Sequence, residues 1–453
     1  MIDEKIGVRQ WAFRRAAIAA LLIGAFPGVA VAQTPAQASM LPADAAVARF
    51  YAARQNGSLW FRSGSNGEAA ALFAAILRRA PLDGLANGPE LARQVEVAIT
   101  QARSGDKARI AAAERLISSV WVRYVQELSV PSEGMIYGYQ PLRIPNPDRI
   151  LHEAAIAPSL PQHVQKVANV NPIYAQLRNT AYRQAQTDGG IPDPRILASM
   201  ERARSIPADG RFVLVDAASQ RLWMYEEGRP VDSMKVVVGT IETPTPMIAS
   251  MIHYATLNPY WNVPEALIRK TVAPNAVKEG LPYLKAHGYQ VLSDWGANPT
   301  IIPASEIDWK AVAAGRKTVR VRQLPGSDNA MGKMKFTFPN AENIYLHDTP
   351  SKDLFAKSPR TFSNGCIRLE DANRFARWLL GGEPVATSPD PEQFVKLPQG
   401  VPVYVTYLTA LPSEGQIVFA DDVYGRDNMA SRIAFHGASP APADGAEVLT
   451  AAP

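Results

Sequence analysis

A chain of 453 residues, 47% of them apolar, with a formal charge of +5, is long enough for two or three domains, and its charge is too thinly spread to argue for nucleic acid. A single cysteine excludes an internal disulfide, and six histidines scattered at 152, 163, 253, 287, 347 and 436 show no metal-ligand spacing. There is no P-loop, dinucleotide fingerprint or Gly-x-Ser-x-Gly elbow, so neither a metal nor a cofactor is expected.

The first 32 residues read as an export signal. Arg9, Arg14 and Arg15 form a basic start, residues 16–31 are apolar, and Ala30-Val31-Ala32 suits cleavage before Gln33. Arg14-Arg15 admits a twin-arginine route, and an uncleaved anchor is the alternative to a signal peptide over 1–32; both place the remainder outside the cytoplasm. Residues 1–32 hold four cations against two carboxylates, so 33–453 carry +3, with no stable membrane span expected after cleavage. An Ala/Pro/Gln-rich stretch, 33–46, reads as a flexible leader.

Residues 47–186 are expected to be a helical domain. Ile110, Ala113, Ile117, Val120, Trp121, Tyr124, Val125 and Leu128 recur at three- and four-residue steps, predicting a helix over 107–128 with a core-facing stripe. Pro131, Gly134, Gly138, Pro141, Pro145 and Pro147 interrupt it, and a further helix is expected over 173–186. Thr187-Asp188-Gly189-Gly190-Ile191-Pro192-Asp193-Pro194 reads as a boundary, with a linker over 187–204. Strands are then expected at 212–215, 221–225, 234–239, 319–323 and 401–407, where Pro402 suggests a strand start or a sheet edge, and a helix at 371–380. Residues 262–318 are too long for a loop and hold Tyr283, Tyr289, Trp295 and Trp309; they are expected to be an inserted subdomain. An Ala/Pro-rich tail over 431–453 is expected to be disordered.

The lone thiol is Cys366, in Ser363-Asn364-Gly365-Cys366-Ile367-Arg368, nineteen positions after His347 in Tyr345-Leu346-His347-Asp348-Thr349-Pro350. A free thiol is only a few per cent thiolate at pH 7, and a neighbouring imidazole raises the reactive fraction. The plain alternative is a buried, inert cysteine and a structural histidine. Gly365 permits a tight turn that can aim the Gly365 and Cys366 N–H groups at an oxyanion, with the Tyr345 hydroxyl as a third donor. Asp348 suits either an orienting role or a turn.

At these residues the chain resembles the L,D-transpeptidases of the YkuD type, which remodel bacterial peptidoglycan: an upstream histidine, then Ser/Thr-x-Gly-Cys-x-Arg/Asn. Asn258-Pro259-Tyr260-Trp261-Asn262-Val263-Pro264, Gln323-Leu324-Pro325-Gly326 and Lys335-Phe336-Thr337-Phe338-Pro339-Asn340 are similar to the large, multidomain branch. Phe50-Tyr51 and Leu59-Trp60-Phe61 are similar to its helical scaffold domain. The resemblance implies an α+β chain: an N-terminal all-α scaffold domain, then a mostly-β catalytic domain over 205–430 carrying an inserted lid.

It also implies a periplasmic cysteine acyltransferase that takes peptidoglycan stem peptides as donor and acceptor and forms 3→3 cross-links through a thioester on Cys366, with His347 as base. Water, a free D-amino acid or a protein amine are alternative acceptors, and a non-catalytic wall-binding scaffold is the alternative outside enzymes. Asn364 stands where many relatives carry histidine, which leaves the base role with His347. Residues 187–204 are too few for a wall-binding module. Arg368 is expected either to bind a stem carboxylate or to hold the cysteine loop through its carbonyls, and Ser363 to hold that loop. Tyr260 and Trp261 line a peptide cleft or pack the insert.

Overall fold

The structure, a computed structural model, describes residues 43–54, 57–62, 67–138, 144–187, 192–296 and 298–427. The expected signal and tail, and the leader up to residue 42, lie outside the described residues. Among the described residues no helix is long and apolar enough to cross a membrane.

Among the described residues, eight α-helices build the N-terminal layer: α1 (Ala43–Ala53), α2 (Glu68–Leu77), α3 (Gly88–Ala102), α4 (Lys107–Leu128), α5 (Pro147–Ile156), α6 (Leu160–Asn169), α7 (Pro172–Thr187) and α8 (Pro194–Ala203). Helix α4 is central. Asp106 caps it by accepting the Arg109 N–H at 2.8 Å, and its apolar stripe buries Ile117, Trp121 and Tyr124. Glu114, on the same helix and only 2% exposed, receives the backbone N–H groups of Leu59, Trp60 and Phe61 at 2.9–3.1 Å and the Tyr51 hydroxyl at 2.6 Å. One buried carboxylate thus terminates a non-helical segment that has no ladder of its own. It also seats Trp60 against Phe73 and Trp121.

Two expected boundaries differ from the structure. The leader was expected to run to residue 46, but α1 starts at Ala43 and buries Ala46, Val47 and Tyr51. The expected linker contains α8, in which Ile196, Ala198, Ser199, Met200, Arg202 and Ala203 are buried. Its turn-forming residues start that helix: Asp193 accepts the Arg195 N–H at 2.9 Å and Pro194 occupies the first turn.

The second layer is β-rich. After the short β1 (Ile136–Tyr137) come β2 (Phe212–Asp216), β3 (Arg221–Glu226), β4 (Arg229–Gly239) and β5 (Ile248–Leu257). The insert follows: β6 (Trp261–Asn262), α9 (Glu265–Leu267), a π-turn at Ile268–Val272, α10 (Ala273–Glu279), α11 (Leu281–Ala286), β7 (Tyr289–Leu292), β8 (Ile301–Ile302), α12 (Trp309–Ala313) and β9 (Arg320–Gln323). The chain then returns through β10 (Met334–Thr337), β11 (Tyr345–His347), β12 (Thr361–Ser363), β13 (Ile367–Leu369), α13 (Ala372–Leu380), β14 (Gln393–Thr406), β15 (Ala410–Ser413) and β16 (Gln416–Phe419).

The main sheet runs β5-β10-β11-β13-β4-β3-β2-β14, and β14 pairs again with β5, so the sheet closes on itself. All five residues of β2 are buried. Val213 and Val215 enter the core inside the sheet, whereas Phe212 and Leu214 join the helical core. Burial on both faces explains why 212–215 shows no polar alternation. Pro402 is not at an edge: β14 lies between β2 and β5, and its pairing with β2 begins at Val403, so the missing N–H falls just outside that ladder.

The insert is a subdomain with its own sheet, β6-β9-β7-β8, and a core of Val263, Ile268, Val272, Leu284, Val291 and Val321. The strand expected at 319–323 belongs to this small sheet, so the insert extends beyond 318 to Gln323.

Glu114→Leu would leave three backbone donors without an acceptor. The expected loss is about 3 kcal/mol or more of helical-domain stability. Thermal denaturation checks this, and an unchanged Tm contradicts it.

Candidate active site

Cys366 lies in the three-residue bend between β12 and β13. Both strands lie against β4, one parallel and the other antiparallel, so the chain must reverse within Asn364-Gly365-Cys366. Gly365 accomplishes this at φ +102°, a conformation L side chains rarely adopt, and an added Cβ would sit 3.0 Å from Ile344 Cδ1. Three groups hold the bend. The Ser363 hydroxyl donates to the Cys366 carbonyl at 2.5 Å and accepts the Gly365 N–H at 3.2 Å. The buried Thr245 hydroxyl donates to the Gly365 carbonyl at 2.8 Å. The Thr240 N–H donates to the Ser363 carbonyl at 3.0 Å.

The histidine comes from the adjacent strand. β11 and β13 are parallel, with Leu346 opposite Ile367 and His347 opposite Arg368, which puts Tyr345 beside Cys366. His347 is 4% exposed, and its Nδ1 meets the Asp348 carbonyl at 2.6 Å. A carbonyl can only accept, so Nδ1 carries the proton and Nε2 is the basic nitrogen. The Asp348 carboxylate is itself fixed, by Lys352 Nζ at 2.8 Å and the Lys333 N–H at 2.9 Å. Gly332 must be glycine because a Cβ there would lie 2.4 Å from that carboxylate. The Cys366 thiol faces the Asn343 carbonyl at 3.8 Å, across a turn built by Asn340, which bonds Phe338, Glu342 and Ile344.

The electrostatics favour two neutral partners at rest. Burial, then the Arg368 charge, pushes His347 down to about 4 against the opposing Asp348 bond. Burial pushes the Cys366 thiol up, against the Tyr345 backbone N–H and the Arg368 guanidinium. Burial also raises the Tyr345 phenol, and the neighbouring Cys366 raises it further.

The structure brings Tyr345, His347, Ser363, Gly365, Cys366 and Arg368 together and leaves Asn364 exposed. Two expected roles change. The Gly365 N–H is occupied by the Ser363 hydroxyl, so of the two expected backbone oxyanion donors the Cys366 N–H remains. Arg368 does not hold the loop: its carbonyls are met by Ser363, Thr240 and Thr245, and among the described residues Arg368 Nε is enclosed without a partner. Its charge is felt at both His347 and Cys366.

Tyr260 and Trp261 sit at the base of the insert. Trp261 pairs with Gln323 and packs on the insert core. The Tyr260 N–H bonds Glu392 at 2.8 Å, and the Arg322 guanidinium lies 4.2 Å from its ring. Among the described residues no hydrogen bond or ring contact joins either to Cys366 or His347. Sequence reasoning missed Thr245. The only signal was its place between two prolines in Thr243-Pro244-Thr245-Pro246, in the loop between β4 and β5.

Comparison with known proteins finds relatives over the region that holds these residues. Residues 210–387 match the family described as YkuD, L,D-transpeptidase catalytic domain, and residues 45–180 match the Scaffold domain family. A Haemophilus influenzae protein described as "Putative L,D-transpeptidase" is 26% identical over 395 residues, 84% of this chain and 78% of the relative. Among solved structures, an L,D-transpeptidase from Mycobacterium smegmatis shares 14% identity over 44% of this chain and 59% of that chain, with a TM-score of 0.22. One from Stackebrandtia nassauensis shares 14% identity over 51% of this chain and 77% of that chain, with a TM-score of 0.20. With its thiol, buried imidazole and glycine bend inside the matched region, the chain carries an L,D-transpeptidase catalytic domain of the YkuD family joined to a Scaffold domain.

Proposed function

We propose that the protein is an exported, periplasmic peptidoglycan L,D-transpeptidase that forms 3→3 cross-links through a thioester on Cys366. The observation that carries this reading is the register of two adjacent parallel strands, which sets His347 opposite Arg368, two residues past Cys366, with the Nδ1 of His347 committed to the Asp348 carbonyl. His347 Nε2 takes the thiol proton as sulfur attacks the carbonyl of the third stem residue, meso-diaminopimelate. The Cys366 N–H stabilises the oxyanion, and the imidazolium returns the proton to the departing D-alanine amine. A side-chain amine of a second stem then gives its proton to Nε2, attacks the thioester and frees the thiol. Arg368 adds positive charge beside the developing thiolate and oxyanion. The insert acts as a lid over the thioester.

The protonation pattern supports a neutral imidazole as base, in place of a standing thiolate–imidazolium pair. Below about pH 4 His347 becomes charged and cannot accept the thiol proton. Its folded pKa lies below the ordinary 6.5, so its contribution to folding is fully present above about 6.5 and is lost as pH falls toward 4.

Incubation with purified tetrapeptide muropeptides, resolved by mass, tests the reading. Dimers support it, whereas tripeptides or exchanged residues assign the acyl group to water or a D-amino acid instead. Cys366→Ala should gain no acyl adduct, and a full adduct on that variant contradicts the assignment. His347→Ala should slow acylation by about 10²–10⁴-fold with the fold retained by circular dichroism. The acylation rate should hold a plateau through neutral pH with its acid limb near 4, and Arg368→Gln should move that limb upward. A wild-type limb near 6.5 contradicts the neutral-imidazole mechanism.

A further inference from the structure

Beyond the matched catalytic region, residues 421–427 fold back onto the end of β4 and the β4–β5 loop, which in turn holds the cysteine loop. We propose that this segment is a strap that positions the nucleophile loop through Thr245; the proposal rests on the acyl-transfer reading of Cys366. The Tyr424 hydroxyl donates to the Gly239 carbonyl at 2.7 Å, and Arg426 Nη2 donates to the Thr245 carbonyl at 3.0 Å. Thr245 is fully buried. Its hydroxyl accepts the Gly239 N–H at 2.9 Å and passes its own hydrogen to the Gly365 carbonyl at 2.8 Å. That carbonyl and the Cys366 N–H belong to one planar peptide unit and point in opposite directions. Holding the Gly365 oxygen on the Thr245 side therefore fixes the direction in which the Cys366 N–H points. It is the backbone donor left free of the Ser363 hydroxyl.

The strap is anchored at its far end on the helical layer. Arg202 of α8, 3% exposed, donates to the Asp427 carboxylate at 2.8 Å, to the Arg426 carbonyl at 2.8 Å and to the Tyr407 carbonyl at 2.9 Å. Between the two ends, the Tyr407 hydroxyl donates to Asp422 at 2.9 Å and accepts the Tyr424 N–H at 2.9 Å. Asp422 also caps the N–H groups of Arg426 and Asp427, at 2.9 and 3.0 Å. The Tyr407 and Tyr424 rings stack at 5.2 Å, with the Arg426 guanidinium 5.1 and 4.9 Å from them. Thr245, Tyr424 and Arg426 are thus positioning residues, and the helical layer is tied to the site through them.

The test compares two reactions of the same thiol in the full chain. Acylation by the tetrapeptide stem needs an oriented oxyanion donor, whereas alkylation by iodoacetamide, a displacement at carbon with no oxyanion, does not. Thr245→Val should slow acylation by about 10-fold or more with KM little changed, as expected for weakening one oxyanion donor. Its iodoacetamide rate should stay within about two-fold of wild type. Thr245→Ser, which keeps the hydroxyl, should restore acylation, and Tyr424→Phe and Arg426→Met should show the same split to a smaller degree. Unchanged acylation in Thr245→Val overturns the strap. So does a parallel fall of acylation and alkylation, which marks general loss of structure. p-Nitrophenyl acetate serves as a second acyl donor without a stem peptide. Wild type that reacts with the ester but not with the stem overturns the substrate reading, and the ester rates of the variants then judge the strap. Wild type that reacts with neither overturns both.

Discussion

The peptide unit joining Gly365 to Cys366 is the constraint on which the site depends. Two strands that share one neighbour force the chain to reverse in three residues, and a left-handed glycine is the means. A bend so tight cannot satisfy its own carbonyls, so they are met from outside by hydroxyls and an amide. Those same bonds set where the sulfur and its N–H point. The placement of the thiol therefore rests on polar satisfaction of a single turn, and the apolar core serves to keep the strands around it from shifting.

Around that turn, low polarity decides the protonation state. His347 sits almost fully enclosed, between a carbonyl that fixes its tautomer and an arginine that opposes its charge. The same enclosure disfavours the thiolate. In the proposed acyl transfer neither is activated alone, and each becomes reactive by exchanging one proton with the other. This arrangement keeps a solitary thiol from being a standing nucleophile toward every electrophile that reaches it.

Much of this was legible in the sequence, for identifiable reasons. The α4 stripe and the strands at 212–215 and 221–225 are local signals, carried by period and by β-branched runs, and they appear where expected. The α+β division and the family followed from residues adjacent in the chain, among them Gly365, Cys366 and His347. What failed was non-local. Pro402 looked like an edge signal because sequence does not reveal that β14 pairs on two sides with unequal starting points. The stretch before 204 looked like a linker because capping residues and loop residues are the same amino acids, and only burial of Ile196 and Met200 separates them. Thr245 was invisible because its partner lies 120 positions away.

The closure of the main sheet by β14 has a consequence for the order in which the protein assembles. The helical layer is made largely of neighbours in sequence and can form early. The reactive centre cannot. His347 and Cys366 emerge well before residues 393–406, which seal the sheet, and before Tyr424 and Arg426, which orient the bend. A partly synthesised chain therefore carries the thiol without the hydrogen bonds that hold its bend. On the proposed reading, reactivity switches on only when β14 and residues 421–427 arrive, a built-in delay that would suit an enzyme acting on the wall of the cell that makes it.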